Sequence, residues 1–163
     1  MSKKSAVLTI SIWDNQVRLS LIGKNMLVID HESFKFSMNV DDIGIRNIDA
    51  FELVYFIRTG IQKMVTRQSV GIESIGLAIM PGYLMAWDRE TCTPITPCLL
   101  PNNSLPSHQY QEFKFSSFSN LLGQIDQQSN IPNVALNCWV LSRQIKKPYP
   151  SGLIISGLDT WLN

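Results

Sequence analysis

Charge is scarce in this chain. Its 163 residues carry 14 Lys and Arg against 13 Asp and Glu, 17% in all, for a net charge of +1. So near-neutral a chain has no electrostatic footprint for nucleic acid or an anionic membrane. The basic residues are scattered as well, with Lys3-Lys4 and Lys146-Lys147 the only doublets. Cysteine is equally sparse: Cys92, Cys98 and Cys138 make an odd number with no CxxC spacing. Only His31 and His108 could supplement them as soft ligands, which excludes the usual zinc arrangements and points to reduced, structural thiols in the cytosol. Long hydrophobic runs are missing too. No stretch approaches the roughly 18 apolar residues of a membrane span. Lys3-Lys4 before residues 6–12 has the outline of a signal peptide, but Thr9, Ser11 and Asp14 break the run and no small-residue cleavage site follows. In a cytosolic chain the sequon Asn102-Asn103-Ser104 has no meaning. The fingerprints GxxxxGK(S/T), GxGxxG, HExxH and GxSxG are all absent.

What is present describes an ordinary globular protein. Apolar residues make up 45% of the chain, enough for one domain over residues 1–163 with a real core. Residues 7–13 form a nearly continuous apolar run, the pattern of a strand buried on both faces. Asp14-Asn15 supplies turn chemistry. Val17, Leu19 and Leu21 alternate with Arg18 and Ser20, and after the turn at Gly23-Lys24-Asn25 residues 26–29 are apolar again. Phe34, Phe36 and Met38 then alternate with polar residues, so the opening reads as an antiparallel meander. Asp49 with Glu52 three residues on marks a helix start. Phe51, Val54, Tyr55, Ile61 and Val65 recur at helical spacing behind it, Leu53, Ile57 and Met64 widen that apolar face, and the helix ends near Arg67. A strand over residues 74–80 closes a crossover, and the order points to a mixed α/β sheet with flanking helices. Residues 101–132 are polar loops and short helices in which Phe113, Phe115, Phe118, Leu121 and Leu122 need burial. Val134, Leu136, Trp139, Val140 and Ile145 form one more helix, stopped by Pro148 and Pro150.

The most informative stretch is 75–97, IGLAIMPGYLMAWDRETCTPITP. Two apolar runs flank a Pro81-Gly82 break, and the second ends in the polar turn Asp88-Arg89-Glu90-Thr91, which reads as two strands with a tight connection. Asp88, Arg89 and Glu90 could also rim a charged pocket, though a hairpin turn accounts for them. This segment resembles the N-terminal domain of the FGGY carbohydrate kinases, with glycerol kinase the nearest branch. Residues 7–18 resemble that family's first strand and phosphate loop, residues 137–141 its K-x-K-W-I-L, and residues 157–162 its GTIDTWL. The resemblance implies the N-terminal half of a ribonuclease-H-like, actin-like ATPase fold.

It also implies where chemistry would sit. The family's phosphate loop offers an Asp near the metal, then Gly and Thr against phosphate; the corresponding positions here hold Ser11, Trp13 and Asp14, with Arg18 alone keeping the family's type. A Trp side chain would fill the space that a glycine leaves for phosphate. The Arg-Glu pair that binds substrate hydroxyls is replaced by Pro81 and Gly82, and the Asp of the family's W-x-D-x-R by Asn103. A pocket built from polar pairs loses affinity steeply without them. No catalytic, substrate-binding or metal-ligating residue is therefore expected. A thiol nucleophile, Cys92 or Cys98 with His108, lacks any mark of activation. The expectation is a degenerate, non-catalytic domain in the cytoplasm, a remnant or interaction module with no cofactor of its own. Its partners would be a second copy or a complementary kinase half, with neither nucleic acid nor membrane. The alternative is half of a two-part ATP-dependent sugar or polyol kinase, using ATP and Mg with a separate nucleotide-binding domain.

Overall fold

The computed structural model describes residues 4–101, 103–104, 106–117 and 132–163. These fall into two compact units, Met1–Ser37 with Asp49–Met80, and Met38–Ile48 with Pro81–Asn163.

The first unit is built on a mixed sheet of order β3-β2-β1-β6, from β1 (Lys4–Trp13), β2 (Gln16–Ile22), β3 (Val28–Lys35) and β6 (Val70–Ile79). The meander β1-β2-β3 is antiparallel, whereas β6 returns parallel to β1 after the helix α1 (Ala50–Gln68). A parallel return requires a crossover of this kind. Alternation governs β1 more than its composition suggests. Ala6, Leu8, Ile10 and Ile12 are buried, but Val7 and Trp13 are 37% and 44% exposed, so the strand buries one face rather than two. Apolar content alone does not report facing; the period of the pleat does.

Helix α1 starts as the sequence predicts. The Phe51 N–H donates to the Asp49 carboxylate at 2.8 Å, a cap that contributes about 1 kcal/mol. Glu52 does not close a reciprocal box and instead accepts from the Ser37 hydroxyl at 3.4 Å. The buried stripe differs from the expected one: Ala50, Leu53, Ile57, Gly60 and Met64 face the sheet, while Phe51, Val54 and Tyr55 are 59%, 37% and 64% exposed. The reason is Gly60. A Cβ there would collide with Leu19 and Phe34, so the helix reaches closest to β2 and β3 along the glycine and turns its larger residues outward. Phe56 stacks on Phe34 at 5.3 Å between centroids, and Lys63 lies 5.7 Å from the same ring.

At the end of α1, Arg67 binds Asp30 with two hydrogen bonds of 2.8 and 2.6 Å and reaches Glu32 at 3.0 Å. The guanidinium fork, helped by Gln68 and the His31 N–H, holds the Asp30 carboxyl down at about 2. A carboxyl with a depressed folded-state pKa stabilises fully above its ordinary value near 4 and loses that contribution as pH falls through about 2. Acid titration followed by far-ultraviolet circular dichroism is therefore expected to give an Arg67→Ala variant a higher midpoint pH of acid unfolding. An unchanged midpoint would assign the acid transition to other carboxyls.

The second unit carries an antiparallel sheet of order β4-β5-β8-β7-β9: β4 (Asn39–Val40), β5 (Arg46–Ile48), β7 (Leu84–Asp88), β8 (Cys98–Leu99) and β9 (Leu153–Gly157). The two apolar runs around Pro81-Gly82 thus belong to different sheets and do not pair. Gly82, at φ 103, turns the chain from one to the other, so the break is a passage between units. Helices α2 (Ser107–Lys114), α3 (Pro132–Gln144) and α4 (Leu158–Leu162) complete the unit. Ile45, Leu84, Leu99, Phe113, Leu136, Trp139 and Leu141 form its core, each well-buried large side chain contributing roughly 1.5–3 kcal/mol. Phe113 meets Trp139 edge-on at 5.8 Å. Phe115, expected inside, is 80% exposed at the C-cap of α2; Phe118, Leu121 and Leu122 lie outside the described residues.

Candidate functional site

The residues singled out by sequence sit in both units. Within the first, Ser11 faces Arg18 across the β1–β2 hairpin and Trp13 faces Gln16. The turn between them is Asp14-Asn15, with Asp14 in the left-handed region at φ 54, where Asp and Asn are tolerated best. The Asn15 carbonyl accepts from the Phe36 N–H at 3.0 Å, tying the turn to the chain beyond β3. Trp13 does not fill a void, being 44% exposed, and Arg18 is exposed on the strand. A phosphate cradle needs several backbone N–H groups converging on one point. A tight hairpin with a single carboxylate offers no such nest. Among the described residues no group of three or more His, Cys, Asp or Glu could hold a metal ion.

A cavity of about 230 Å³ does occur in this unit, lined by Ser5, Val7, Ile22, Lys24, Met26 and Glu73 among others. It opens at the start of β1, at the opposite end of that strand from Trp13 and Asp14.

In the second unit the structure brings Gly82 and Asn103 together, with a residue that sequence reasoning passed over. Asn103 is only 4% exposed and Asn137 is fully buried. The Arg46 N–H donates to the Asn103 Oδ1 at 2.9 Å, and the Asn103 Nδ2 donates to the carbonyls of Arg46 (3.1 Å) and Leu100 (3.0 Å). Its carboxamide thus pairs with the Arg46 backbone as a neighbouring strand would. The Asn137 Nδ2 donates to the Leu100 carbonyl at 3.0 Å and the Gly82 carbonyl at 3.2 Å, while its Oδ1 accepts from Asn103 at 3.4 Å. The Arg46 guanidinium donates to the Pro101 carbonyl at 3.2 Å. Pro101 also packs on Gly82: a Cβ at Gly82 would stand 2.9 Å from the Pro101 Cβ. Two side-chain amides therefore lock four backbone groups of three segments. No buried side-chain polar atom among the described residues lacks a hydrogen bond, so the network is closed. The signal for Asn137 was its place, a carboxamide on the apolar face of α3, yet no local pattern says that such a residue points inward.

The thiols do not form an active pair. Burial pushes the Cys98 thiol up to about 12, which keeps it protonated at neutral pH. Cys92 is exposed in the turn after β7 at φ 55, a backbone position that suits glycine, and its carbonyl accepts from the Trp161 indole at 2.9 Å. Asp88 in the same turn accepts from the N–H groups of Glu90 and Thr91 and from the Thr91 hydroxyl. These three bonds, with burial opposing them, hold its carboxyl below the usual range, so Asp88 ties the turn and leaves the pocket-rim reading without support. His108 lies exposed on α2.

A mixed sheet of this order with its crossover helix is the ribonuclease-H-like, actin-like ATPase fold of the sugar kinases. More particularly, the chain superposes on a carbohydrate kinase from Novosphingobium aromaticivorans, TM-score 0.69 at 14% identity, covering 99% of this chain and 33% of that one. Glycerol kinase from Plasmodium falciparum, solved with ADP, gives TM-score 0.68 at 12% identity over 99% and 34%. Xylulose kinase from Rhodospirillum rubrum gives 0.57 at 12% identity over 72% and 25%. The chain thus spans about a third of the length of the first two. No protein-family model matches the sequence, and no curated protein matches it.

Proposed function

We propose that this chain is a degenerate, non-catalytic carbohydrate-kinase-like domain of the FGGY type, acting in the cytoplasm as an interaction module. One observation carries the reading: the positions that would bind polyol hydroxyls are consumed by the fold itself. Asn103 spends its oxygen and both amide hydrogens on Arg46, Leu100 and Asn137, and Gly82 has no side chain to offer while its carbonyl already accepts from Asn137. A sugar arriving there would have to break buried bonds at about 1–3 kcal/mol for each group left unpaired. The Asp14-Asn15 hairpin argues the same way for ATP and Mg.

Isothermal titration calorimetry of the 163-residue chain against Mg-ATP, glycerol and common sugars tests the proposal. No heat of binding is expected at millimolar ligand. Micromolar affinity for any of them would overturn it.

A further inference from the structure

The cavity at the start of β1 arises where the sheet comes apart. β1 and β2 are paired only as far as Val7 and Ile22, whereas β1 runs on beside β6 to the Lys4–Val70 pair. The space of about 230 Å³ opens where β2 turns away. On the β6 side the register shifts, Ala6 pairing with Ile72 and Val7 with Ser74, which leaves Glu73 as the extra residue. Irregularities of this kind re-aim a side chain, and Glu73 lines the cavity. On the β2 side stands Lys24, in a turn closed at both ends. The Gly23 N–H donates to the Leu27 carbonyl and the Met26 N–H to the Gly23 carbonyl, each at 2.9 Å.

These polar groups are unused by the fold. Among the described residues neither Lys24, Glu73 nor the Ser5 hydroxyl makes an ion pair or a hydrogen bond. Between them the walls are apolar. Val7 and Ile22 are partners in the ladder, hence on one face, and Ala6 and Met26 line the cavity as well. Val7 is 37% and Met26 82% exposed, apolar surface that a ligand would take out of water. Met26 stands at φ 61, a left-handed conformation that favours Gly or Asn over Met. A side chain kept at the mouth of a cavity against its backbone preference is an outlier of the sort that accompanies binding, and a thioether adapts to what it covers.

Size and charge together select the ligand. A cavity of about 150 Å³ holds benzene, so 230 Å³ suits a molecule of about ten heavy atoms. β2 and β6 flank β1 on opposite sides, their backbones about 10 Å apart. Lys24 and Glu73 thus approach from opposite sides without pairing, and a ligand that carries both charges would bridge them. We propose that this cavity binds a free amino acid with an apolar side chain. Its carboxylate meets Lys24 and Ser5, its ammonium meets Glu73, and its side chain lies against Val7, Ile22 and Met26. A ligand with one charge would leave the opposite group unanswered, and a polyol would leave the apolar walls uncovered. The site goes beyond the proposed loss of sugar and ATP binding and shares no residue with it, so the two readings fail separately.

Isothermal titration calorimetry of the intact chain with L-leucine is expected to give a Kd of roughly 0.1–1 mM. L-alanine, isocaproate (no ammonium) and isopentylamine (no carboxylate) should each bind at least about tenfold more weakly. Lys24→Ala should weaken leucine about tenfold and leave isopentylamine unchanged, whereas Glu73→Ala should weaken leucine about tenfold and leave isocaproate unchanged. Both side chains are exposed, so circular dichroism should be the same in every variant. The double exchange Lys24→Glu with Glu73→Lys should recover leucine binding in the reverse orientation. No leucine binding at about 10 mM would overturn the proposal, as would analogues that bind as well as leucine. So would leucine binding that neither single variant weakens, because its site would lie elsewhere.

Discussion

Asn103→Asp is expected to destabilise the second unit by about 3 kcal/mol at neutral pH, although it installs the acid that the family resemblance implies at this position. The substitution is isosteric but chemically opposed to its surroundings. The Asn103 amide donates to the carbonyls of Arg46 and Leu100 and to the Asn137 Oδ1; a carboxylate would confront those acceptors at 4% exposure. Only the bond from the Arg46 N–H would survive. Burial and the facing acceptors raise the folded-state pKa of the new carboxyl, so the variant is worst above its ordinary value near 4 and recovers part of the loss below it. Urea unfolding followed by the fluorescence of Trp87, Trp139 and Trp161 at pH 4 and pH 7 measures both. Equal stability at both pH values would place the Asn103 side chain outside this network.

Gly82→Glu, which places at this position the acid that the family resemblance implies, should cost a similar amount, about 3 kcal/mol. Two effects add. The residue sits at φ 103, where any side chain is strained, and its Cβ would stand 2.9 Å from the Pro101 Cβ and 3.4 Å from the Pro101 Cα. Both arise at the first side-chain atom, so Gly82→Ala should show most of the loss in the same assay. A large difference between the two variants would locate the cost in the carboxylate instead. In either variant, calorimetry with glycerol should still show no binding, because the Asn103 and Asn137 bonds that occupy the site remain.

On the proposed reading, the positions that resemble a ligand site are parts of the chain's own support, so changing them to the residues the resemblance implies should remove stability without restoring binding. That inversion was only half legible. The exchanges at Pro81, Gly82 and Asn103 are visible in the sequence, as is the loss of charge. That Asn103 would turn inward to the Arg46 backbone depends on a strand 57 residues earlier, and on Asn137 in a helix 34 residues later. Cys92 is a parallel case: its left-handed φ of 55 suits a glycine, yet nothing local forces a cysteine into it.

By itself the sequence determined the local structure: the meander after residue 4, the cap at Asp49, the stop of α1 beyond Arg67, the polar turn at Asp88, and α3 before Pro148. Each rests on short-range chemistry, on alternation, capping or turn residues within one element. The tertiary structure alone decided which stripe of α1 is buried, because Gly60 gains its meaning only when Leu19 and Phe34 lie against it. It decided that the runs on either side of Pro81-Gly82 enter different sheets, since pairing partners come from distant parts of the chain. And it decided that two buried amides, Asn103 and Asn137, close on backbone groups of their own unit. A polar side chain's direction is set by whichever long-range donors and acceptors the fold brings within 3 Å, and no neighbour in sequence encodes that.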